Sequence, residues 1–157
     1  MRYLLDSSLI SEKQYGFIKG RSASLQLLQM MDKWTDYLEN GGQIDVVYSD
    51  FEKAFDKVPH TRLISKLRSY GINTVIIDWI TDFLQARKYS SYSDWVNVTS
   101  GIPQGSVLGP LLFLIYINDL IDCCEIYSEI YLFADDAKLF HHILHASNHC
   151  SLQNGIN

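Results

Sequence analysis

The sequence predicts an α+β domain, an antiparallel sheet with helices packed on one face, and three features carry that expectation. In IYLFADDAKLF, Ile130 to Phe140, two short apolar runs flank Asp135 and Asp136, the pattern of a tight β-hairpin with adjacent carboxylates at its tip. In IDVVYSD an apolar, β-branched run reads as a strand from Ile44 to Phe51 and carries Asp50 at its end. Strands and helices otherwise alternate without the regular rhythm of βαβ units, which argues against a doubly wound parallel sheet.

Each element follows from local pattern. Met1 to Gly20 shows no clear period, and Gly16 and Gly20 bracket a turn or loop. A helix then starts with Ser22 or Ser24 as its cap, repeats Leu25, Leu28, Met31, Trp34 and Leu38 at helical spacing, and stops before Gly41 and Gly42. That stripe is expected to be core. After Pro59, Thr61 to Tyr70 forms a helix through Leu63, Ile64 and Leu67, ended by Gly71. Asn73 caps the next helix, which runs to Ala86 and is expected to bury Val75, Trp79, Ile80 and Phe83. The signal weakens from Arg87 to Thr99, where WVNVT reads as a short strand. SGIPQGSVLGP is a glycine-rich turn opening onto an apolar helix, Val107 to Ile117, with Ser106 as N-cap and Pro110 tolerated in the first turn. This helix is apolar nearly all round, so it needs partners on several sides, and any face left open would favour association.

Bulk properties narrow the class. The chain has 157 residues, 47% of them hydrophobic and 13% aromatic, enough for one compact domain with a core and too apolar for disorder. A formal net charge of -5 argues against a stand-alone nucleic-acid binder, because phosphate affinity comes mainly from Lys and Arg. Part of that acidity fits a metal site, whose ions reverse the local charge. Three cysteines, two of them adjacent at Cys123 and Cys124, do not make a disulfide framework and point to a reducing compartment. MRYLLDSSLI lacks the character of a signal peptide, and Val107 to Ile117 is too short to cross a bilayer.

An Asp-Asp pair alone is ordinary turn chemistry. Asp50 changes the reading, because a strand end and a hairpin tip can meet on one sheet, and three converging carboxylates repel strongly unless cations lie between them. Hard oxygen ligands of this kind suit Mg2+, in the arrangement that two-metal phosphoryl transfer needs. Within DFEKAFD the carbonyl of Phe51 can add a further hard oxygen, whereas Glu52 and Asp56 read as exposed or helix-capping. Phe55 opens the following turn, where a ring can wall a substrate pocket, although spacing alone favours ordinary core. In GIPQG the glycines bring backbone close to a ligand, and the helix that follows turns its N-terminus to anionic groups. Near the C-terminus, His141, His145 and His149 would share one helical face at a spacing suited to Zn2+, with His142 and Cys150 nearby, but a polar frayed helix is the simpler reading.

These segments, in this order, resemble the palm of a reverse transcriptase, specifically that of non-LTR retrotransposons. QYGFIKGRS, YSDFEKAFDKVPH, KLRSYGI, TSGIPQGSVLGPLLFLIYINDL and FADDAKLF are similar to that family's successive blocks. The matching core is 14–140, and HCSLQNGIN, within 141–157, looks like the start of the helix that follows it. The resemblance implies a right-hand polymerase palm-like sheet with incomplete fingers and no thumb, working as an RNA-directed DNA polymerase on an RNA template, a DNA primer and dNTPs. It implies that Asp50 and Asp135, with the Phe51 carbonyl, hold two Mg2+ ions, for which Mn2+ can substitute, and that Asp136 completes the acidic cluster. Phe55 then matches the bulky residue that excludes a 2′-OH, Gln104 and Gly105 meet the incoming dNTP, and Arg21 meets the template backbone. RNA-templated RNA polymerases share such a palm, but Phe55 and FADD favour the dNTP-using branch. RKYSSYSDWVNVTSG is shorter than its family counterpart, and finger, thumb and endonuclease segments are expected to lie outside this sequence. The expectation is therefore a truncated polymerase, weakly active or inactive alone, with a non-catalytic remnant as the alternative. Work in the nucleus or cytoplasm, away from membranes, follows from the resemblance only.

Overall fold

A computed structural model describes residues 1–85, 98–124 and 128–144. In chain order the elements are α1 (Arg2–Asp6), α2 (Ala23–Glu39), β1 (Gln43–Ser49), α3 (His60–Ser69), α4 (Thr74–Gln85), α5 (Gly109–Ile117), α6 (Asp119–Cys124), β2 (Glu129–Phe133) and β3 (Asp136–Ile143). The chain divides into two compact units, each discontinuous in sequence. A helical unit combines Met1–Leu9 with Glu52–Tyr116, and a sheet unit combines Ile10–Phe51 with the chain from Ile117 onward. Among the described residues no helix is long and apolar enough to cross a membrane.

The sheet unit holds a three-stranded antiparallel sheet in the order β1-β3-β2. The predicted hairpin is present: Glu129 lies opposite Phe140 and Phe133 opposite Asp136, leaving Ala134 and Asp135 as the turn. On the other edge of β3, Gln43 faces Ile143 and Ser49 faces Ala137. Lys13 to Tyr15 add a short parallel bridge to β2, with Leu132 N donating to the Lys13 carbonyl at 2.9 Å and Tyr15 N to the Leu132 carbonyl at 2.8 Å.

Helix α2 covers one face of this sheet. Ser22 caps it as expected, its side chain accepting from Leu25 N at 3.2 Å. Its buried side differs from the expected stripe. Leu25, Leu28, Met31 and Leu38 are between 49% and 64% exposed, whereas Gln26 and Met30 are buried. Met30 joins Tyr15, Tyr131 and Phe140 in the core, with Trp34, Tyr37, Ile44, Val46 and Phe133 packed against them. The helix carries two apolar stripes, and the one with the large rings matches the aromatic face of the sheet. Trp34 meets Phe140 edge-on at 5.7 Å, and Tyr37 stacks on His142 at 4.5 Å. His141 and His142 lie on β3, so the polar frayed helix expected from His141 onward does not begin there, and His141 is no part of a helical face suited to Zn2+. His145, His149, Cys150 and the remainder of the expected C-terminal helix lie outside the described residues.

In the helical unit α3 and α4 pack together. Asn73 caps α4 as expected, accepting from Val75 N at 2.9 Å, yet α4 buries Ile77, Ile80 and Leu84 and leaves Val75 and Trp79 exposed. The reason is again a choice between two apolar faces, made by the partner: the β-branched pair at 77 and 80 fits against a helix that buries His60, Leu63 and Leu67. Ser106 secures the entry to α5, accepting from Gly109 N at 2.9 Å and donating to the Pro103 carbonyl at 2.8 Å. Leu112, Phe113, Leu114 and Ile115 of α5 are all buried, so the partners this helix was expected to need are present along it, whereas Val107, expected to belong to it, precedes it and is exposed. WVNVT falls largely outside the described residues.

One charged cluster ties three segments of the sheet unit. Glu129 accepts from Lys13 at 2.9 Å and from Lys33 at 2.8 Å, and both ammonium groups sit within 6 Å of the Tyr131 ring centroid, at 5.7 and 5.9 Å. Burial opposes charging of Glu129 and Lys33, but their mutual hydrogen bonds and attraction outweigh it. The Glu129 carboxyl is held below its usual range and the Lys33 ammonium above its own. The contribution of Glu129 is complete above the unfolded carboxyl value of about 4.3 and is lost as pH falls through its lower folded value. That of Lys33 is complete below about 10.4 and is lost as pH rises through its raised folded value. Urea unfolding of Glu129→Gln at neutral pH is expected to show a loss of about 1 kcal/mol that shrinks toward zero as the pH is taken below the folded carboxyl value.

Candidate active site

Asp50 follows directly on Ser49, the last residue of β1, and Ser49 is paired with Ala137. Asp135 lies in the turn just before β3, and Asp136 is the first residue of that strand. The pairing of β1 with β3 thus brings all three aspartates to one end of one sheet. Asp50 and Asp136 are exposed, Asp135 half-buried, and Phe51 exposed beside Asp50. Among the described residues no three His, Cys, Asp or Glu side chains close into a cage for a metal ion.

The turn itself is held in an unfavourable conformation. Ala134 has φ of 56°, the left-handed region that a side chain resists, and it is buried. Gly16 makes this possible by close approach: a Cβ there would lie 2.3 Å from Ala134 N and 2.9 Å from its Cα. The buried side chain of Gln14 completes the contact, its Oε1 accepting from Gly16 N at 2.7 Å and from Ala134 N at 3.0 Å, and its Nε2 donating to the Ala134 carbonyl at 3.4 Å. Sequence reasoning assigned no role to Gln14. The available signal was its place in QYGFIKGRS, but a glutamine among polar neighbours has no periodic mark of burial.

Arg21, expected to meet the template backbone, bonds the chain itself in this structure. Its Nη1 donates to the carbonyls of Ser11, Glu12 and Gln14 at 2.8, 3.1 and 2.5 Å, pinning the segment that carries Gln14. It also lines an open groove of about 610 Å³ with Tyr15, Leu25, Leu28, Gln29 and Asp32.

Phe55, Gln104 and Gly105 belong to the helical unit. Phe55 is half-buried and stacks on Phe113 at 4.3 Å between centroids, so its ring is fixed by the apolar helix. The GIPQG turn is bonded directly to the FDKVPH stretch: Ile102 N donates to the Phe55 carbonyl and Gly101 N to the Val58 carbonyl, each at 2.9 Å. Gly101, at φ 91°, leaves space that a Cβ would take only at 3.0 Å from the Asp56 carbonyl oxygen. Gln104 is exposed, and its Nε2 donates to Asp56 Oδ1 at 3.3 Å. His60 Nε2 bonds the Gly101 carbonyl at 2.8 Å, a further anchor of the turn.

Residues 1–154 match the family described as "Reverse transcriptase (RNA-dependent DNA polymerase)". The chain belongs to the reverse transcriptase family. It is 28% identical over 166 aligned residues to the "Probable RNA-directed DNA polymerase from transposon BS" of Drosophila melanogaster, an alignment covering 94% of this chain and 17% of that protein. It is 30% identical over 132 residues to the "RNA-directed DNA polymerase from mobile element jockey" of Drosophila funebris, covering 76% and 14%. This reverse transcriptase chain thus spans under a fifth of the length of these relatives. Its fold is shared with the apo telomerase of Candida tropicalis at a TM-score of 0.70, with 10% identity, over 99% of this chain and 34% of the other. The resemblance to reverse transcriptases of non-LTR retrotransposons, drawn from the motifs, holds.

Within this reverse transcriptase fold, Gly16→Ala is expected to lower stability by about 2 kcal/mol in urea unfolding, because the new methyl meets backbone that must shift.

Proposed function

We propose that this chain is the palm of an RNA-directed DNA polymerase, joining dNTPs to the 3′-OH of a DNA primer on an RNA template. The observation that supports it best is that Asp50 and Asp135 reach the same end of one antiparallel sheet in a chain of this family. In this reading Asp50, the Phe51 carbonyl and Asp135 hold two Mg2+ ions, replaceable by Mn2+, and Asp136 completes the acidic cluster. The donor set fits. All the donors are hard oxygens, and Mg2+ characteristically takes one or two protein carboxylates while keeping other positions for water and substrate phosphate, so a cage built from protein alone is not required. When bound, the ions supply charge neutralisation at the transferring phosphate and lower the pKa of the attacking hydroxyl.

The chain's own residues supply positioning. Asp50 is carried by a strand end and Asp135 by a clamped turn, so neither carboxylate has to be gathered from a mobile loop. Gln104, held toward Asp56, and the backbone at Gly105 meet the incoming dNTP. In this reading Phe55, whose ring is backed by Phe113, is the residue that excludes a ribose 2′-OH. Arg21 meets the template backbone through donors other than its Nη1. In the relatives the matched stretch is a small part of a longer protein, and in this reading primer and template are gripped jointly with such further segments. The work is placed in the nucleus or cytoplasm, where RNA templates are found.

Electron paramagnetic resonance of Mn2+ titrated into the purified chain tests the carboxylate reading. Asp135→Asn is expected to lose most of the ion that the wild type binds at equal concentration, and equal binding by both would argue against it. In primer extension, Phe55→Val is expected to raise incorporation of rNTPs relative to dNTPs by about tenfold. An unchanged ratio would remove Phe55 from the substrate site.

A further inference from the structure

Gln14 has no part in the chemistry just proposed, yet its side chain satisfies both backbone polar groups of the residue before Asp135. It is 1% exposed, and its one amide accepts from two N–H groups, those of Gly16 and Ala134, while donating to the Ala134 carbonyl. Ladder pairing of the hairpin ends at Phe133 and Asp136, so the buried Ala134 peptide groups need partners from outside the strands. A left-handed alanine also persists only where its surroundings impose it. The support is itself fixed on three sides. Leu132 bonds the backbone of Lys13 and Tyr15, Arg21 bonds the Gln14 carbonyl, and Gly16 leaves no room for a Cβ against Ala134.

We propose that Gln14 is a positioning residue for Asp135: its side-chain amide sets the orientation of the Ala134–Asp135 turn and so the place of that carboxylate. The inference rests on the metal-site reading above. Only an amide meets the demand in full, because one of its atoms accepts both N–H groups while its neighbour donates to the carbonyl. A carboxylate has no proton for the carbonyl, and an apolar side chain leaves all three groups unpaired.

The test uses the full chain with Mn2+ as probe, reading affinity and the resonance line shape of the bound ion beside the urea midpoint. Gln14→Met is expected to weaken Mn2+ binding about ten- to a hundredfold, as loss of a group that orients a metal ligand does. Glu129→Gln, a destabilised variant in the same unit but remote in role, is expected to keep wild-type affinity and line shape. If Gln14→Met binds Mn2+ as the wild type does, while Asp135→Asn does not bind it, the proposal is overturned and the metal site stands. If Gln14→Met and Glu129→Gln lose affinity in step with their urea midpoints, Gln14 is merely structural and the proposal is again overturned. Wild-type binding that is absent, or indifferent to Asp135→Asn, overturns the metal-site reading and this inference with it. Should Gln14→Met fail to fold, Gln14→Asn decides, since it keeps a neutral amide but is one methylene too short to reach all three groups: an altered line shape supports positioning, and a wild-type line shape overturns it.

Discussion

Strand β3 is hydrogen-bonded along both edges, and the sheet unit depends on that double pairing. On one side Ser49 is set against Ala137, on the other Phe133 against Asp136, so the end of β1 and the tip of the hairpin are brought to one place by backbone bonding. A slip of one residue along either edge would turn each side chain to the other face and carry Asp50 away from the turn. The aromatic layer beneath α2 opposes such a slip. Trp34 against Phe140 and Tyr37 against His142 are particular contacts, and a shifted strand would present different side chains to them.

The two units use different means to hold their candidate residues. In the sheet unit the carboxylates sit at an open, solvated edge, and rigidity comes from behind, through the Gln14 amide and the close approach of Gly16. In the helical unit the candidate residues are fixed by loop-to-loop bonding, with the GIPQG turn strapped to Phe55 and Val58 and the Phe55 ring stacked on a buried phenylalanine. In both units the backbone under the candidate residues is constrained by hydrogen bonds from another segment.

Much of this was legible beforehand for definite physical reasons. The hairpin follows from two apolar runs around a turn, the strand from IDVVYSD, and the caps at Ser22, Asn73 and Ser106 from short-range hydrogen bonding that each residue makes with its own neighbourhood. The buried faces of α2 and α4 were only partly legible, with Trp34 and Ile80 expected in the core and found there, because each helix offers two apolar stripes and periodicity does not rank them. Trp79 and Leu28 look like core on spacing and are both exposed. His141 has helical spacing with the histidines that follow it, but its strand pairs with β1, and that partner lies about a hundred residues earlier in the chain.

Local chemistry in the sequence therefore determined the types of α2, β1, α3, α4, α5 and the β2–β3 hairpin, but not the short helices α1 and α6. Tertiary structure decided which faces are covered, that α5 is buried from Leu112 to Ile115, and that Gln14 supports the turn beneath Asp135. The reason is range: Gln14 and Ala134 are 120 residues apart, and their contact depends on the sheet having already brought Leu132 beside Tyr15. No pattern within a helix or a strand encodes such a meeting.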